Sequence, residues 1–365
     1  LKRVSSKFAI CLLVVSAQML RVGLPLVTVV HGISWLENLT QLAESMPSLV
    51  MQEIEDSPLR AVVSLVGGPQ EVLPETSQLP TVTAHGMGDS CWEPGFTSLT
   101  NGIANRTGSY AVCIPTGDNL MSDTINGYVL NMDKSLAVFA QKIREDPRLA
   151  HGFNAIGFSQ GNSLLRGYIQ MYNDPPVNTF VSVHGTVMGV SAFPSCFQQG
   201  KEPGLICKAL AEVLGEGAYL EIAQNGLFQA DYYRDPTKVT SSRYLANSQI
   251  GQWNNENLDT ANSTFAANFV KTNKFVMVKA AKDSMVYPNE GEWWGAMSDG
   301  DYSTVLTMRD TKFYKENLFG LKTADESGKI FFESTEGDHL EFTDAQLYGW
   351  VDKYFLSSDM DPVVV

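Results

Sequence analysis

The feature that most constrains the fold is an alternation of short apolar runs and amphipathic runs that begins near Leu79 and continues almost to the end of the chain. The apolar runs are typical of buried strands. In chain order they are PTVTAHG (80–86), GSYAVCIP (108–115), FNAIGFS (153–159), NTFVSVHG (178–185), NKFVMVKAAKD (273–283) and GKIFFEST (328–335). Strand patterns that alternate with helical patterns predict right-handed βαβ units, so we expect an α/β fold whose mostly parallel central sheet is covered on both faces.

The helical patterns fall between these runs. Apolar residues recur at helical spacing between residues 124 and 143. GNSLLRGYIQMY (161–172), which an Asn-Asp-Pro sequence stops, and TDAQLYGWVDKYF (343–355) predict two further helices. One long segment, from about residue 188 to residue 272, breaks the alternation and is rich in Gly, Gln, Asn and aromatic residues. We expect it to form an inserted, partly helical cap subdomain.

The first 17 residues have the pattern of a secretory signal peptide. Basic residues precede an apolar run over residues 8–15, and small residues follow where a signal peptidase would cut. The alternative is a membrane anchor, because apolar residues resume over residues 19–30. Arg21 and Pro25 interrupt that longer run. We therefore expect cleavage and no stable membrane span afterwards.

The rest of the chain divides into an N-terminal extension and linker over residues 18–78 and a main domain over residues 79–365. Apolar residues make up 44% of the chain and charged residues 18%, which is enough for a sizeable core. The formal net charge of −14 repels the phosphates of nucleic acids and anionic lipid headgroups. Nucleic acid is therefore not an expected partner.

Cysteine usage supports an oxidising compartment. Cys11 lies in the predicted signal peptide, and four cysteines remain after it. Cys196 and Cys207 bracket a short loop and are expected to pair, which leaves Cys91 and Cys113 as the second pair. Buried free thiols are the alternative.

Two further patterns bear on metals and glycans. No Cys-x-x-Cys spacing is present, so we expect neither a metal site nor a cofactor. Sequons at Asn38, Asn105 and Asn262 are candidate glycosylation sites in the secretory pathway.

Ser159 is the candidate nucleophile. It is the central residue of Gly157-Phe-Ser-Gln-Gly161, and by itself this short pattern also fits a serine between two turn-forming glycines. A strand pattern precedes Ser159 and a helical pattern follows it, which predicts a sharp strand-to-helix turn that lifts the hydroxyl out of the sheet.

A serine nucleophile needs a base and an acid, which follow it in the order Ser, acid, His in this type of fold. Only His184 and His339 come after Ser159. His184 ends the next strand, too early for an acid-bearing strand to precede it, so we expect a hydrogen-bonded histidine near the site. His339 lies between the last strand and the last helix and is the predicted base.

Asp283 is the predicted acid, because it opens the loop after the strand that precedes the one before His339. Asp299, Asp301 and Asp338 are the competitors. Asp338 adjoins the histidine in sequence, and a sequence neighbour is poorly placed to reach the ring nitrogen.

An oxyanion hole needs two backbone N–H groups. Gln160 follows the nucleophile, and Met87 lies in the His85-Gly86-Met87-Gly88 turn after the first strand. These two residues are the predicted donors.

The chain resembles the palmitoyl-protein thioesterases from about residue 79 to about residue 355. The matching motifs are HGMGDSC (85–91), NAIGFSQGNSLLR (154–166), CFQQGKEPGLIC (196–207), FQADYYRDP (228–236), KFVMVKAAKDSMVYP (274–288) and TEGDHLEF (335–342). Two positions depart from the family pattern. Asn162 replaces a glycine, which puts local helix packing in doubt, and Trp92 replaces a second cysteine after Cys91.

The resemblance implies an α/β-hydrolase fold, a cap that holds the acyl chain, and hydrolysis of thioesters between long-chain fatty acids and protein cysteines. It also implies a lysosomal or secreted location, with S-acylated proteins or peptides and fatty acyl chains as partners. The same family roles fall on Ser159, Asp283 and His339, with Met87 and Gln160 at the oxyanion. The alternatives are a lipase, an oxygen esterase or an acyl-CoA thioesterase and, from another class, a catalytically silent binding module.

Overall fold

A six-stranded parallel sheet forms the centre of the molecule. The computed structural model describes residues 78–192 and 217–356. The strands are β1 (Thr81–Ala84), β2 (Ala111–Cys113), β3 (Phe153–Phe158), β4 (Val177–Val183), β5 (Lys274–Ala280), β6 (Ala296–Met297), β7 (Val305–Leu306) and β8 (Ile330–Thr335). The sheet order is β2-β1-β3-β4-β5-β8, while β6 and β7 form a separate antiparallel pair. The predicted parallel α/β sheet is confirmed.

Helices cover the sheet and make up much of the described part of the long connection after β4. In chain order they are α1 (Pro94–Thr107), α2 (Leu120–Val129), α3 (Met132–Glu145), α4 (Gly161–Met171), α5 (Glu221–Gln224), α6 (Phe228–Asp231), α7 (Ser242–Asn247), α8 (Gln249–Trp253), α9 (Ser263–Phe269), α10 (Lys312–Lys315), α11 (Leu321–Glu326) and α12 (Asp344–Val351). Short 3-10 turns occur at Pro147–Leu149, Gly217–Tyr219, Leu258–Thr260, Asn289–Trp293 and Met308–Asp310, and a π turn at Asp352–Leu356. Among the described helices, none is long and apolar enough to cross a membrane.

The core has two layers because side chains alternate between the two faces of each strand. On one face, Val181 and Val276 belong to the cluster that includes Ile103 of α1 and Leu347 of α12. On the other face, their sequence neighbours Phe180 and Phe275 pack in the cluster that includes α3 and α4. Full burial of a Val or Phe side chain contributes about 1.5–3 kcal/mol to stability, so both faces need their helices.

The segment between residues 124 and 143 forms parts of two helices and not one continuous helix. Leu130 has an extended backbone (φ −90°, ψ 116°), and α2 ends before it. The Asn131 side chain accepts a hydrogen bond from the Lys134 N–H and caps α3. Asparagine favours such caps over helix interiors, so the apolar spacing runs across a break.

The described part of the predicted cap lies between β4 and β5 and consists of short helices, α5 to α9. This partly helical character agrees with the prediction, while the boundaries near residues 188 and 272 stay predictions. Residues 1–77, with the predicted signal peptide, extension and Asn38, lie outside the described residues, as do Cys196 and Cys207.

Candidate active site

Three strands of the sheet deliver the predicted nucleophile, acid and base to one edge. In a parallel sheet the carboxyl ends of all strands lie together. Ser159 follows β3, Asp283 lies in the loop after β5, and His339 lies in the loop after β8. Residues that are far apart in sequence therefore meet at this edge.

Ser159 lies on a tight turn. Its φ of 51° is in the left-handed region, which non-glycine residues rarely adopt. Its N–H donates to the Val183 carbonyl at 3.0 Å. Gly161 permits the turn, since a Cβ there would lie 2.6 Å from the His85 carbonyl oxygen. The strained turn and the close packing are those of a nucleophile elbow.

The three side chains form one hydrogen-bonded line. His339 Nε2 lies 2.8 Å from Ser159 Oγ, and His339 Nδ1 lies 2.6 Å from Asp283 Oδ2. Because a carboxylate accepts, Nδ1 carries the hydrogen and Nε2 can accept the hydroxyl proton of Ser159. The geometry therefore supports a serine activated by a neutral imidazole.

Asp283 is held as a carboxylate. Its Oδ1 accepts the N–H groups of Met285 and Val286, both at 2.7 Å. Burial alone would raise the pKa of Asp283, but the hydrogen bond and charge of His339 more than offset this and lower the pKa below its usual value. The negative charge that stabilises an imidazolium is therefore in place.

The competing acids have other partners. Asp338 accepts from Ser284 and from the backbone N–H of His339, not from its ring. Asp299 pairs with Arg234 and Lys312, and Asp301 accepts from Ser303. Of the four candidates, Asp283 is therefore the carboxylate that contacts the His339 ring, and its role as the catalytic acid stays a prediction.

His184 holds the loop residue next to His339. It is fully buried, its Nδ1 accepts the N–H of Leu340 at 2.8 Å, and its Nε2 lies 2.9 Å from Thr335 Oγ1. Burial and the nearby His339 lower the pKa of His184 to about 4. A neutral His184 therefore fixes the residue that follows His339, and its two hydrogen bonds agree with the prediction of a hydrogen-bonded histidine near the site.

A second buried histidine–carboxylate pair was not foreseen from the sequence. His85 Nε2 lies 3.0 Å from Asp123 Oδ2, and His85 Nδ1 lies 3.0 Å from the Gly86 carbonyl oxygen. Both ring nitrogens face acceptors, so both must carry hydrogens and the ring is an imidazolium. Burial would lower the pKa of His85, but the hydrogen bond and charge of Asp123 raise it overall.

Asp123 anchors the whole loop that carries His85. Its two oxygens accept further hydrogen bonds from Ser90 Oγ, Cys91 N, Thr116 N, Thr116 Oγ1 and Gly117 N. Burial acts to raise the pKa of Asp123, but His85 and the backbone donors hold it well below its usual value. The disulfide Cys91–Cys113 ties the same loop to the end of β2, in agreement with the predicted pair.

This loop lies against the nucleophile. A Cβ on Gly86 would be 3.2 Å from Ser159 Cβ. In a trans peptide the carbonyl and the next N–H point in opposite directions, so the hydrogen bond from His85 to the Gly86 carbonyl also orients the Met87 N–H. Within residues 78–192 and 217–356, the N–H groups of Met87 and Gln160 have no hydrogen-bond acceptor.

Gln160 also joins the elbow to the cap. Its Nε2 donates to the Gly127 carbonyl at 2.8 Å, and its Oε1 accepts from Gln229 Nε2 of α6 at 2.8 Å. The side chain is therefore occupied, and only its backbone N–H remains for an oxyanion.

Asn162 does not disturb the helix that follows the nucleophile. Its Nδ2 donates to the carbonyls of Ser159 and Val183, both at 3.0 Å. The Asn162 amide thus links the carbonyls on both sides of the turn. The departure from the family pattern at this position therefore does not disturb the start of α4.

Two clusters bring potential metal ligands together, one of His85, Cys91 and Asp123 and one of His184, Asp283 and His339. In the first, Cys91 is in a disulfide and cannot act as a thiolate. In the second, the ring nitrogens already have hydrogen-bond partners. Neither donor set is arranged for a metal. The sequons Asn105 and Asn262 are both exposed, as glycan attachment requires.

Comparison with known proteins gives consistent matches. The family model described as palmitoyl protein thioesterase matches residues 80–339. Palmitoyl-protein thioesterase 1 of Caenorhabditis elegans is 35% identical over 285 residues, which cover 77% of this chain and 93% of that protein. Palmitoyl-protein thioesterase 3 of Dictyostelium discoideum is 30% identical over 264 residues, 72% of this chain and 85% of that protein. Lysosomal thioesterase PPT2-B of Xenopus laevis is 28% identical over 51% of this chain and 62% of that protein.

Proposed function

The chain belongs to the palmitoyl-protein thioesterase family, and from that premise we propose that it hydrolyses thioesters between long-chain fatty acids and protein cysteines. The observation that carries the proposal is the hydrogen-bonded line from Ser159 Oγ through His339 to Asp283. The substrates are S-acylated proteins or peptides. The chain has the α/β-hydrolase fold.

In this mechanism Ser159 Oγ attacks the thioester carbonyl carbon while its proton passes to His339 Nε2. The carbonyl oxygen becomes an oxyanion, which the N–H groups of Met87 and Gln160 stabilise. The C–S bond then breaks, and the leaving sulfur takes the proton from His339. Water, activated by the same histidine, releases the fatty acid and restores Ser159.

Asp283 acts throughout as the fixed charge that keeps His339 in the required tautomer. The oxyanion donors need a rigid loop, because a preorganised donor loses nothing to reorientation during the reaction. The hydrogen bonds of Asp123 and the disulfide Cys91–Cys113 provide that rigidity.

We also propose that the segment between about residues 188 and 272 holds the acyl chain. The contact of Gln229 with Gln160 supports this, because it brings the described part of the cap next to the elbow. Large apolar side chains are exposed on α2, the helix that carries Asp123, at Leu120, Met121 and Ile125. If they contact the acyl chain, Met121→Asp will raise KM for long-chain esters and leave short-chain esters unaffected.

A lysosomal location is proposed from the predicted signal peptide and from the lysosomal name of the Xenopus relative. The test is expression of the full chain in cells, followed by lysosomal fractionation and glycosidase treatment. Cofractionation with lysosomal markers and a mobility shift on deglycosylation are expected. A protein that stays cytosolic and unglycosylated contradicts this location.

The activity is tested with a serine-directed fluorophosphonate probe and with matched substrates. The wild type should label, and Ser159→Ala should not. Next, kcat/KM is measured on a palmitoyl-cysteine peptide, palmitoyl-CoA and the matched oxygen ester. The peptide thioester should be the best substrate. Equal or faster turnover of the oxygen ester would assign the same site to an esterase, and no labelling of the wild type would indicate a silent binding module.

A further inference from the structure

A buried glutamate lies behind the proposed triad. Glu292 is in the 3-10 turn Asn289–Trp293, and its side chain is fully buried. Its Oε2 accepts the N–H of Ala280, at the end of β5, at 2.7 Å. The carboxyl group of Glu292 also lies within hydrogen-bonding reach of the carboxyl group of Asp283, and Glu292 Oε1 is buried with no N–H or O–H donor among the described residues.

A hydrogen bond between two carboxyl groups requires that one of them carry a proton, because two carboxylates have only acceptors. Asp283 already accepts three N–H groups, from Met285, Val286 and the ring of His339. Glu292 accepts only the N–H of Ala280, and its Oε1 finds no other donor among the described residues. The proton therefore belongs to Glu292, and its O–H donates to Asp283.

The surroundings favour the same assignment. Burial raises the pKa of Glu292 well above its usual value, and the neighbouring charge of Asp283 raises it further. Lys279 is the cation that faces this region, but its Nζ lies 3.4 Å from Glu290 Oε1 and 4.0 Å from the centre of the Trp293 ring. The charge of Lys279 acts to lower the pKa of Glu292, but it does not offset burial and the charge of Asp283.

We propose that Glu292 is a positioning residue that stays protonated, holds the carboxylate of Asp283 and, through it, sets the orientation of His339. This rests on the proposed function only in taking Asp283 and His339 as the catalytic pair. No proton leaves Glu292 during turnover. Ionisation of Glu292 would put a second negative charge beside Asp283 and loosen the acid that orients the base.

The discriminating variant is Glu292→Gln. A glutamine can accept the Ala280 N–H through its oxygen and donate its N–H to Asp283, so it copies a protonated glutamate and cannot copy an ionised one. Glu292→Leu is the matched variant of similar size that can do neither. We expect kcat of Glu292→Gln to stay within about 3-fold of the wild type, and Glu292→Leu to lose about 10–100-fold, the usual scale for residues that orient a catalytic group.

The pH profile separates this role from simple packing. The titratable or charged groups that face Glu292 are Asp283, His339 through Asp283, and Lys279. As pH rises, ionisation of Glu292 should reduce kcat of the wild type, whereas Glu292→Gln should keep its activity further into the alkaline range. Infrared difference spectra should also show a protonated carboxyl band in the wild type that is missing in the variant.

Stability gives a further readout that needs no substrate. Because the pKa of Glu292 is raised above 4.5, its protonated form contributes stability that is complete below pH 4.5 and is lost as pH rises toward the raised pKa. The Tm of Glu292→Gln should therefore increase relative to wild type as pH rises from 4.5 toward the raised pKa of Glu292, and the difference should stay constant above it.

The inference is overturned if Glu292→Gln is as impaired as Glu292→Leu, or if the wild type lacks the protonated carboxyl band. If Glu292→Leu does not fold, the glutamine variant, its pH profile and the infrared band still decide. Activity is measured on a small activated ester as well as on the thioester. Failure of the proposed thioesterase function would then appear as loss of thioester turnover alone, with the Glu292 comparison intact.

Discussion

Two buried histidine–carboxylate pairs flank Ser159, and they differ in what the second ring nitrogen faces. In His339–Asp283 that nitrogen faces the Ser159 hydroxyl, which can give up a proton. In His85–Asp123 it faces the Gly86 carbonyl oxygen, which can only accept. The first ring is therefore placed to accept the Ser159 proton, as the proposed mechanism requires, and the second donates from both nitrogens and holds a loop.

The histidine–carboxylate pair by itself therefore does not define what each histidine does. In both places a carboxylate oxygen lies next to one nitrogen of an imidazole ring. The group that faces the second ring nitrogen decides whether the ring can take up and release a proton or stays protonated and holds the loop. Substitutions that treat the two pairs alike should consequently give unequal effects.

The largest effect is expected for His339→Gln. Without a base the serine stays a weak nucleophile, and kcat should fall by about 10⁶-fold, the scale seen when a triad histidine is lost. The measurement is single-turnover hydrolysis of the thioester, with Tm as the folding control. A fall of less than tenfold would mean that another group deprotonates Ser159.

Asp283→Asn should come next. The amide cannot keep His339 in the required tautomer, so kcat should drop by about 10⁴-fold with little change in Tm. Asp301→Asn is the matched control, because Asp301 accepts from Ser303 and Thr304 of its own loop and, among the described residues, makes no hydrogen bond or ion pair with the proposed triad. If the control variant loses as much activity as Asp283→Asn, the acid has been misassigned.

His85→Gln should have a smaller effect. The proton-transfer path stays intact, but the Gly86–Met87 peptide is released, so kcat should fall by about 10²-fold, the cost of one oxyanion donor, while KM changes little. His151→Gln, at an exposed histidine, is the control. A rise in KM with unchanged kcat would show that the loop serves binding and not the oxyanion.

The smallest effect concerns pH and stability. The pKa of His85 is raised above 6.5, so its pair with Asp123 stabilises the protein fully below pH 6.5 and loses that contribution as pH rises through the raised pKa. Thermal unfolding from acid to alkaline pH should show the Tm gap between wild type and His85→Gln narrowing. A constant gap would mean that His85 is neutral in the folded protein.

The meeting of Ser159, Asp283 and His339 could be predicted because chain order and strand ends constrain where these residues lie. Ser159, Asp283 and His339 each follow an apolar run, and a parallel sheet brings such ends together. The extended strands were predictable for the same reason, since their apolar residues occur in uninterrupted runs.

The supporting residues were not predictable. Asp123 lies within α2 and Glu292 in a 3-10 turn, and no sequence spacing relates either of them to the residues they hold. Their roles depend on the packing of distant loops. The break at Asn131 was missed because apolar spacing continues across it, although a capping asparagine was a local signal.

Asn162, three residues after Ser159, restricts how the turn around Ser159 can change during evolution. A Cβ on Gly157 would lie 2.8 Å from Asn162 Cγ, and a Cβ on Gly185 would lie 2.9 Å from Asn162 Cβ. The Asn162 side chain lies against both glycines, with Ser182 Oγ also close to Gly185, so we expect substitutions at residues 157, 162 and 185 to depend on one another. Residue 162 must lose its amide before residue 157 can acquire a side chain, and any lineage that carries this asparagine has narrowed the order in which the nucleophile turn can diversify.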